Sequence, residues 1–185
     1  MASMNLVILL LGPSGVGKSF LSKGLEEEYS FRHFQIHEKS FERNGFPAEW
    51  DADPTQINFA MLASIARNQL ADTQHGAVLS LPTEMIFSSR QLEVASREGV
   101  CPVVLLGRRE LCFNARRERH TRRHGSFGEG QRKRYWRHNT PTFEAYERAE
   151  YERFRIDVFH SDDSFRPREE ILRLVVERGN QPLKD

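Results

Sequence analysis

Residues 12–19, Gly12-Pro13-Ser14-Gly15-Val16-Gly17-Lys18-Ser19, restrict this chain more than any other stretch. They match the spacing G-x-x-x-x-G-K-S/T. The context is the one that spacing requires. An unbroken apolar run, residues 5–11, precedes it, and Phe20, Leu21, Leu25 and Tyr29 recur after it at helical intervals. A chain that reads buried strand, glycine loop, helix has little choice of local structure. Glycines let successive backbone N–H groups converge on one point with no Cβ in the way. The helix adds its own unsatisfied N–H groups and the positive end of its dipole. Such a cradle suits the phosphates of a nucleotide. All eight residues, with Phe20, are candidates for holding it, Lys18 reaching the β- and γ-phosphates and the Ser19 hydroxyl ligating magnesium.

The rest of the chain alternates in the same way. Strands are predicted at residues 31–37, 77–81, 102–106 and 154–160, each close to turn or breaker residues. Between them lie helical patterns. One opens at Asp53-Pro54 and carries Ile57, Met61, Ile65 and Leu70; a second starts at Thr83 and carries Ile86, Phe87 and Leu92. Others begin near Arg108, at Thr140-Pro141 and at Pro167. Strands joined by helical crossovers make a parallel sheet. The expected fold is therefore α/β: a three-layer α/β/α sandwich around a parallel five-stranded sheet, built as one domain over residues 1–185. Ligands in such folds sit beyond the carboxyl ends of the strands.

Composition sets outer limits. At 185 residues with 38% apolar and 29% charged side chains, the chain has the make-up of an ordinary globular domain. A formal net charge of +1 gives no overall field favouring nucleic acid or a membrane. The run at 5–11 is far shorter than the roughly 20 residues a bilayer span needs, and it lacks a basic leader. Cys101 and Cys112 form no metal-binding spacing. A reduced cytoplasmic setting, with both thiols inside, is expected.

The loop, its position near the start and the chain's size resemble the small P-loop kinases, the group of shikimate kinase, gluconate kinase and the nucleotide kinases. No Asn-Lys-x-Asp guanine-reading motif is present, and the strands ending at Leu81 and Leu106 carry no acidic residue of the kind motor ATPases use. The resemblance implies a P-loop NTPase fold with a mobile lid, ATP and Mg²⁺ as co-substrate and cofactor, and a small-molecule phosphate acceptor. It also implies roles. Arg116 would pack on adenine, with residues 162–167, including Pro167, as the adenine loop. Arg123, seven residues past Arg116, would reach the transferring phosphate, with Arg119 as its rival. Arg137, ahead of Pro141 and Tyr146, matches a substrate-binding arginine. One departure stands out. Shikimate kinases end their second strand in Asp-x-Asp, whereas this chain has Ile36-His37-Glu38, followed by Phe41-Glu42.

From 116 to 138 basic residues heavily outnumber acids, and 116–124 holds no large apolar residue. A helix that polar is not held by packing, so it projects into solvent or folds onto a ligand. Gly125, Gly128 and Gly130 supply joints. The stretch reads as a lid whose arginines meet the transferred phosphoryl group. It also reads as a solvated basic face, or as a nucleic-acid patch with Tyr135 and Trp136 stacking on bases.

For the acceptor side the candidate carboxylates are Glu38, just past a strand end, and Glu84, early in a predicted helix. Phe46 and Trp50 are candidate pocket walls. The expected activity is ATP-dependent phosphoryl transfer to a hydroxyl or phosphate of a small metabolite. Two alternatives are a polynucleotide or other nucleic-acid-acting kinase and a nucleotide-binding regulator with little catalysis.

Overall fold

The computed structural model describes residues 5–37 and 40–180. Five strands form one sheet: β1 (Leu6–Leu11), β2 (Phe31–Gln35), β3 (Gly76–Ser80), β4 (Val100–Leu106) and β5 (Arg155–Asp157). Their order is β2-β3-β1-β4-β5 and every pairing is parallel. Helices cover both faces. On one side α1 (Lys18–Tyr29) and α7 (Arg168–Gly179) pack on the sheet and on each other. On the other lie α3 (Phe59–Asn68) and α4 (Ser89–Arg97). A short α2 (Glu49–Ala52), the long α5 (Arg109–His124) and α6 (Glu129–Tyr146) complete the set. The expected sandwich is the observed one.

The sheet is buried on both faces because its central strands are apolar throughout. Val7 to Leu11 in β1 and Val103 to Leu105 in β4 have no solvent exposure. Because β1 lies between β3 and β4, the chain fills one side of it and then the other. That places a topological switch point, where ligands bind, at the carboxyl end of β1.

Several element boundaries differ from the sequence reading, each for a local reason. Asp53-Pro54 opens only a single 3₁₀ turn; the helix proper starts after Asn58, whose side chain accepts from the Met61 amide. No helix begins at Thr83. Residues 82–88 stay irregular, and α4 starts after Ser88, where Ser88 and Gln91 form a reciprocal capping box. The helix expected at Thr140 begins eleven residues earlier, at Glu129, and runs through Pro141. Proline inside a helix removes a hydrogen bond and crowds the preceding turn. Packing outweighs that cost here. Tyr135, Asn139, Thr142, Phe143 and Tyr146 form a buried stripe at helical spacing. The last strand is shorter than expected, since Phe159 leaves β5 to bridge antiparallel to Phe165.

Phe46 and Trp50 belong to the core rather than to a pocket. They pack with Phe34 and Phe41 in an aromatic cluster whose ring centroids lie 5.5–6.1 Å apart. Cys112 is buried and Cys101 half-buried. No helix among the described residues is long and apolar enough to cross a membrane.

Candidate phosphate-binding site

The loop between β1 and α1 is shaped by two glycines above all. A Cβ on Gly15 would lie 2.1 Å from the carbonyl oxygen of Cys112, so only glycine lets the loop rest against α5. Gly17 sits at φ +87° as the N-cap of α1, a conformation L side chains rarely adopt. Val16 differs from its neighbours: its side chain is buried in the core, which anchors the loop from beneath. The first turn of α1 contains no acidic residue and no capping side chain. Its dipole and amides therefore face outward uncompensated.

Ser14 is held from two sides by α6. Its amide donates to Asn139 Oδ1 at 2.6 Å, and its carbonyl accepts from the Tyr135 hydroxyl at 3.0 Å. Asn139 Nδ2 donates in turn to the Tyr135 carbonyl at 2.8 Å. The same helix grips the loop after β3: Thr142 Oγ1 donates to the Thr83 carbonyl at 2.8 Å, and His138 Nδ1 lies 3.0 Å from Glu84 Oε1. The Ser14 and Thr83 hydroxyls are 3.1 Å apart.

Above the loop opens a pocket of about 160 Å³. The loop residues Pro13, Ser14, Gly15, Gly17, Lys18 and Ser19 form its floor. Gln35, Ile36 and His37 at the end of β2, Ser80 to Thr83 at the end of β3, and Arg119 from α5 form its walls. It lies where the switch point predicts. Lys18 is half-buried and its ammonium donates back to the Gly12 and Pro13 carbonyls. Burial pulls its pKa down to about 8, against a partial upward pull from Glu84; Arg119 pushes it down further. Arg119 is lowered by burial and by the neighbouring Arg116 and Arg123 charges. Its Nε is buried, with no hydrogen-bond partner among the described residues. Two cations held close together, one with an orphaned buried donor, beside open helix amides, are a site that an anion relieves.

The pocket brings together some of the predicted residues and not others. Pro13, Ser14, Gly15, Gly17, Lys18, Ser19 and Arg119 converge on it, while Gly12 and Val16 of the loop do not line it. Arg123, one turn further along α5, is exposed and does not line it; nor does half-buried Arg116. Phe20 is exposed beneath the Arg168 guanidinium, 5.1 Å from the ring centre, and exposed Pro167 caps α7. Glu84 is exposed and paired with His138. Arg137 projects from the outer face of α6, in a shallow basic groove with Arg132, Lys133 and Trp136. Glu38 lies outside the described residues. Tyr135 does not face outward for stacking on bases, since its ring is buried against Phe113 at 5.2 Å. Ile36, in the place of the first aspartate of Asp-x-Asp, is 2% exposed and part of the core.

Two contributors were missed in the sequence. Asn139 carried one signal, its spacing of four from Tyr135 and Phe143, masked by its polarity. Ser80 carried none.

The residues present fit a nucleotide and magnesium. Lys18, Arg119 and the α1 amides could donate to phosphate oxygens, and the Ser19 hydroxyl could ligate a metal. Among the described residues, no three His, Cys, Asp or Glu side chains gather as a separate metal site. Phosphate oxygens and waters would complete the coordination of magnesium.

This combination of loop, sheet order and helical cover is the fold of the small P-loop kinases. No protein-family model and no curated protein matches the sequence. Solved structures do. A gluconokinase from Sinorhizobium meliloti 1021 is 20% identical with a TM-score of 0.51, covering 95% of this chain and 92% of its own. A shikimate kinase from Acinetobacter baumannii, in complex with shikimate, is 16% identical with a TM-score of 0.50, covering 96% of each chain. An uncharacterized protein from Eubacterium ventriosum ATCC 27560 is 11% identical with a TM-score of 0.52, covering 96% of this chain and 99% of its own. At these identities the likeness is one of fold.

Proposed function

We propose that this protein is a magnesium-dependent phosphotransferase that moves the terminal phosphoryl group of ATP to a hydroxyl or phosphate of a small metabolite. The observation that carries the reading is the meeting of Lys18, the α1 amides and Arg119 around one pocket. Phosphoryl transfer asks a protein mainly for positioned positive charge. Lys18 would hold the β- and γ-phosphate oxygens and Ser19 the metal, which when bound neutralises charge on those oxygens. Arg119, which lines the pocket where Arg123 does not, would stabilise the equatorial oxygens of the transferred group. Arg116 and Pro167 remain the proposed adenine contacts, and the basic ends of α5 and α6 the proposed lid. Glu38, Glu84 and Arg137 are the proposed acceptor-side groups. The pocket's walls after β2 and β3 would receive the acceptor. ATP is favoured over GTP by the absence of the guanine-reading motif.

The test is coupled detection of ADP with a panel of sugars, shikimate, nucleosides, nucleoside monophosphates and aminoglycosides. One acceptor class should raise ADP release, and Lys18→Ala should abolish the increase. Slow release indifferent to every acceptor would count against the reading. It would favour a nucleotide-binding regulator instead, for which buried Ile36 in place of an acid is the supporting observation.

A further inference from the structure

A phosphate acceptor's hydroxyl must lose its proton as it attacks, and kinases of many kinds place a group to receive it. Among the described residues lining the pocket, none is a carboxylate. The strand end where an acid would stand offers buried Ile36. Two histidines stand at this end of the sheet: His37 lines the pocket itself, and His33 reaches it through one hydroxyl. Ser80, the last residue of β3, borders the pocket together with Lys18 and Ser19, and its Oγ lies 2.9 Å from His33 Nε2. The parallel register explains the contact. His33 pairs with Val78, so its ring leans along the same sheet face toward Ser80, two residues on.

The surroundings of His33 keep it a base. The ring is half-buried, and burial lowers its pKa from the ordinary 6.5. Glu26 on α1 pulls it upward and His37 past the end of β2 pushes it down, while β3 presents only Val78 and Ser80. The imidazole is thus neutral at pH 7. With Nε2 as acceptor, the Ser80 hydroxyl donates to it and its oxygen keeps a lone pair free to accept. At 5% exposure, Ser80 has contact with solvent only over a small area, and it borders the pocket.

We infer that Ser80 and His33 form a proton relay for the phosphate acceptor. This rests on the phosphotransferase reading. As the acceptor oxygen bonds to the terminal phosphorus, the bond from that phosphorus to the bridging oxygen breaks, and ADP departs with the electron pair. The acceptor's proton passes to Ser80 Oγ while the hydroxyl proton of Ser80 passes to His33 Nε2. The imidazolium then releases its proton to solvent, which restores both groups. Ser80 touches the acceptor; His33 acts through it.

Single-turnover transfer from magnesium-ATP, followed from pH 5 to 9, tests the relay. The acceptor is whichever compound the panel identifies. The wild-type rate should rise through one ionisation below pH 6.5 and then level off. His33→Gln keeps a hydrogen-bonding amide near Ser80 but takes up no proton. It and Ser80→Ala should lower the plateau by about 10²–10⁴-fold, the usual worth of a positioned base, and abolish the rise. Nucleotide affinity should change less than threefold, which also shows that the variants are folded. An NMR titration of the His33 ring should give the same midpoint as the rate. If His33→Gln retains the rise, or if Glu38→Gln removes it instead, the relay is wrong while the phosphotransferase reading stands. If wild type transfers to no acceptor in the panel, both fall.

Discussion

Asn139 and Ser14, 125 residues apart in the chain, are joined by a 2.6 Å hydrogen bond from the Ser14 amide to the Asn139 side-chain oxygen. Asn139 is 2% exposed and spends its amide nitrogen on the Tyr135 carbonyl. The third residue of the phosphate loop is thereby tied to α6, the same helix whose basic end lies in the proposed lid. A cradle made of backbone amides works only if those amides stay aimed at one point, and this tie fixes one end of it.

Asn139→Leu should therefore cost about 1–3 kcal/mol, since it leaves the part-buried Ser14 amide without its acceptor. Denaturant unfolding measures that. Titration with ATP should show weaker binding as well. Tyr135→Phe, which loses only the hydroxyl bond to the Ser14 carbonyl, should cost about 1 kcal/mol. Equal effects of the two would argue that the helix, and not the Asn139 amide, holds the loop.

Lys18 should make phosphate binding pH-dependent. Its pKa is held near 8 by burial, below its ordinary 10.5. An anion favours the charged form and raises that pKa again. Binding of ATP should be fully supported below pH 8 and weaken as pH rises through it, with proton uptake near pH 8 to 9. Calorimetry in buffers of different ionisation enthalpy reads the uptake directly. For folding the sign is opposite. The unfolded chain binds the Lys18 proton more tightly, so this residue's contribution to stability increases from pH 8 toward 10.5. Lys18→Met should remove both effects.

Arg119 and Arg123 should separate cleanly. Only Arg119 reaches the pocket. Arg119→Ala should lower the single-turnover rate by about 10³-fold or more, as expected for an arginine on the transferred phosphoryl group. Arg123→Ala should change it less than tenfold. A reversed order would mean that α5 rearranges when nucleotide binds.

Gly15→Ala should be destabilising even without any ligand, because its Cβ would overlap the Cys112 carbonyl. Forcing the loop and α5 apart should cost about 1–3 kcal/mol. Thermal unfolding of the free protein would register it. Unchanged stability would show that the loop is not seated on α5.

What could be read from the sequence was what is local. Eight contiguous residues spell the phosphate loop, because its geometry depends on backbone freedom and on one lysine and one serine at adjacent places. The apolar runs at β1, β3 and β4 announced a sheet covered on both faces, since strands without alternation must be buried on both sides. Even the arginine-rich end of α5 was visible as a helix lacking an apolar stripe. Tertiary structure decided which arginine enters the pocket, a matter of where α5 lies relative to the loop. It also decided that Asn139 serves a loop 125 residues away and that His33 finds Ser80 on the neighbouring strand. Those contacts depend on strand register and helix docking, which are set by the packing of the whole core, and no pair of residues distant in the chain carries them alone.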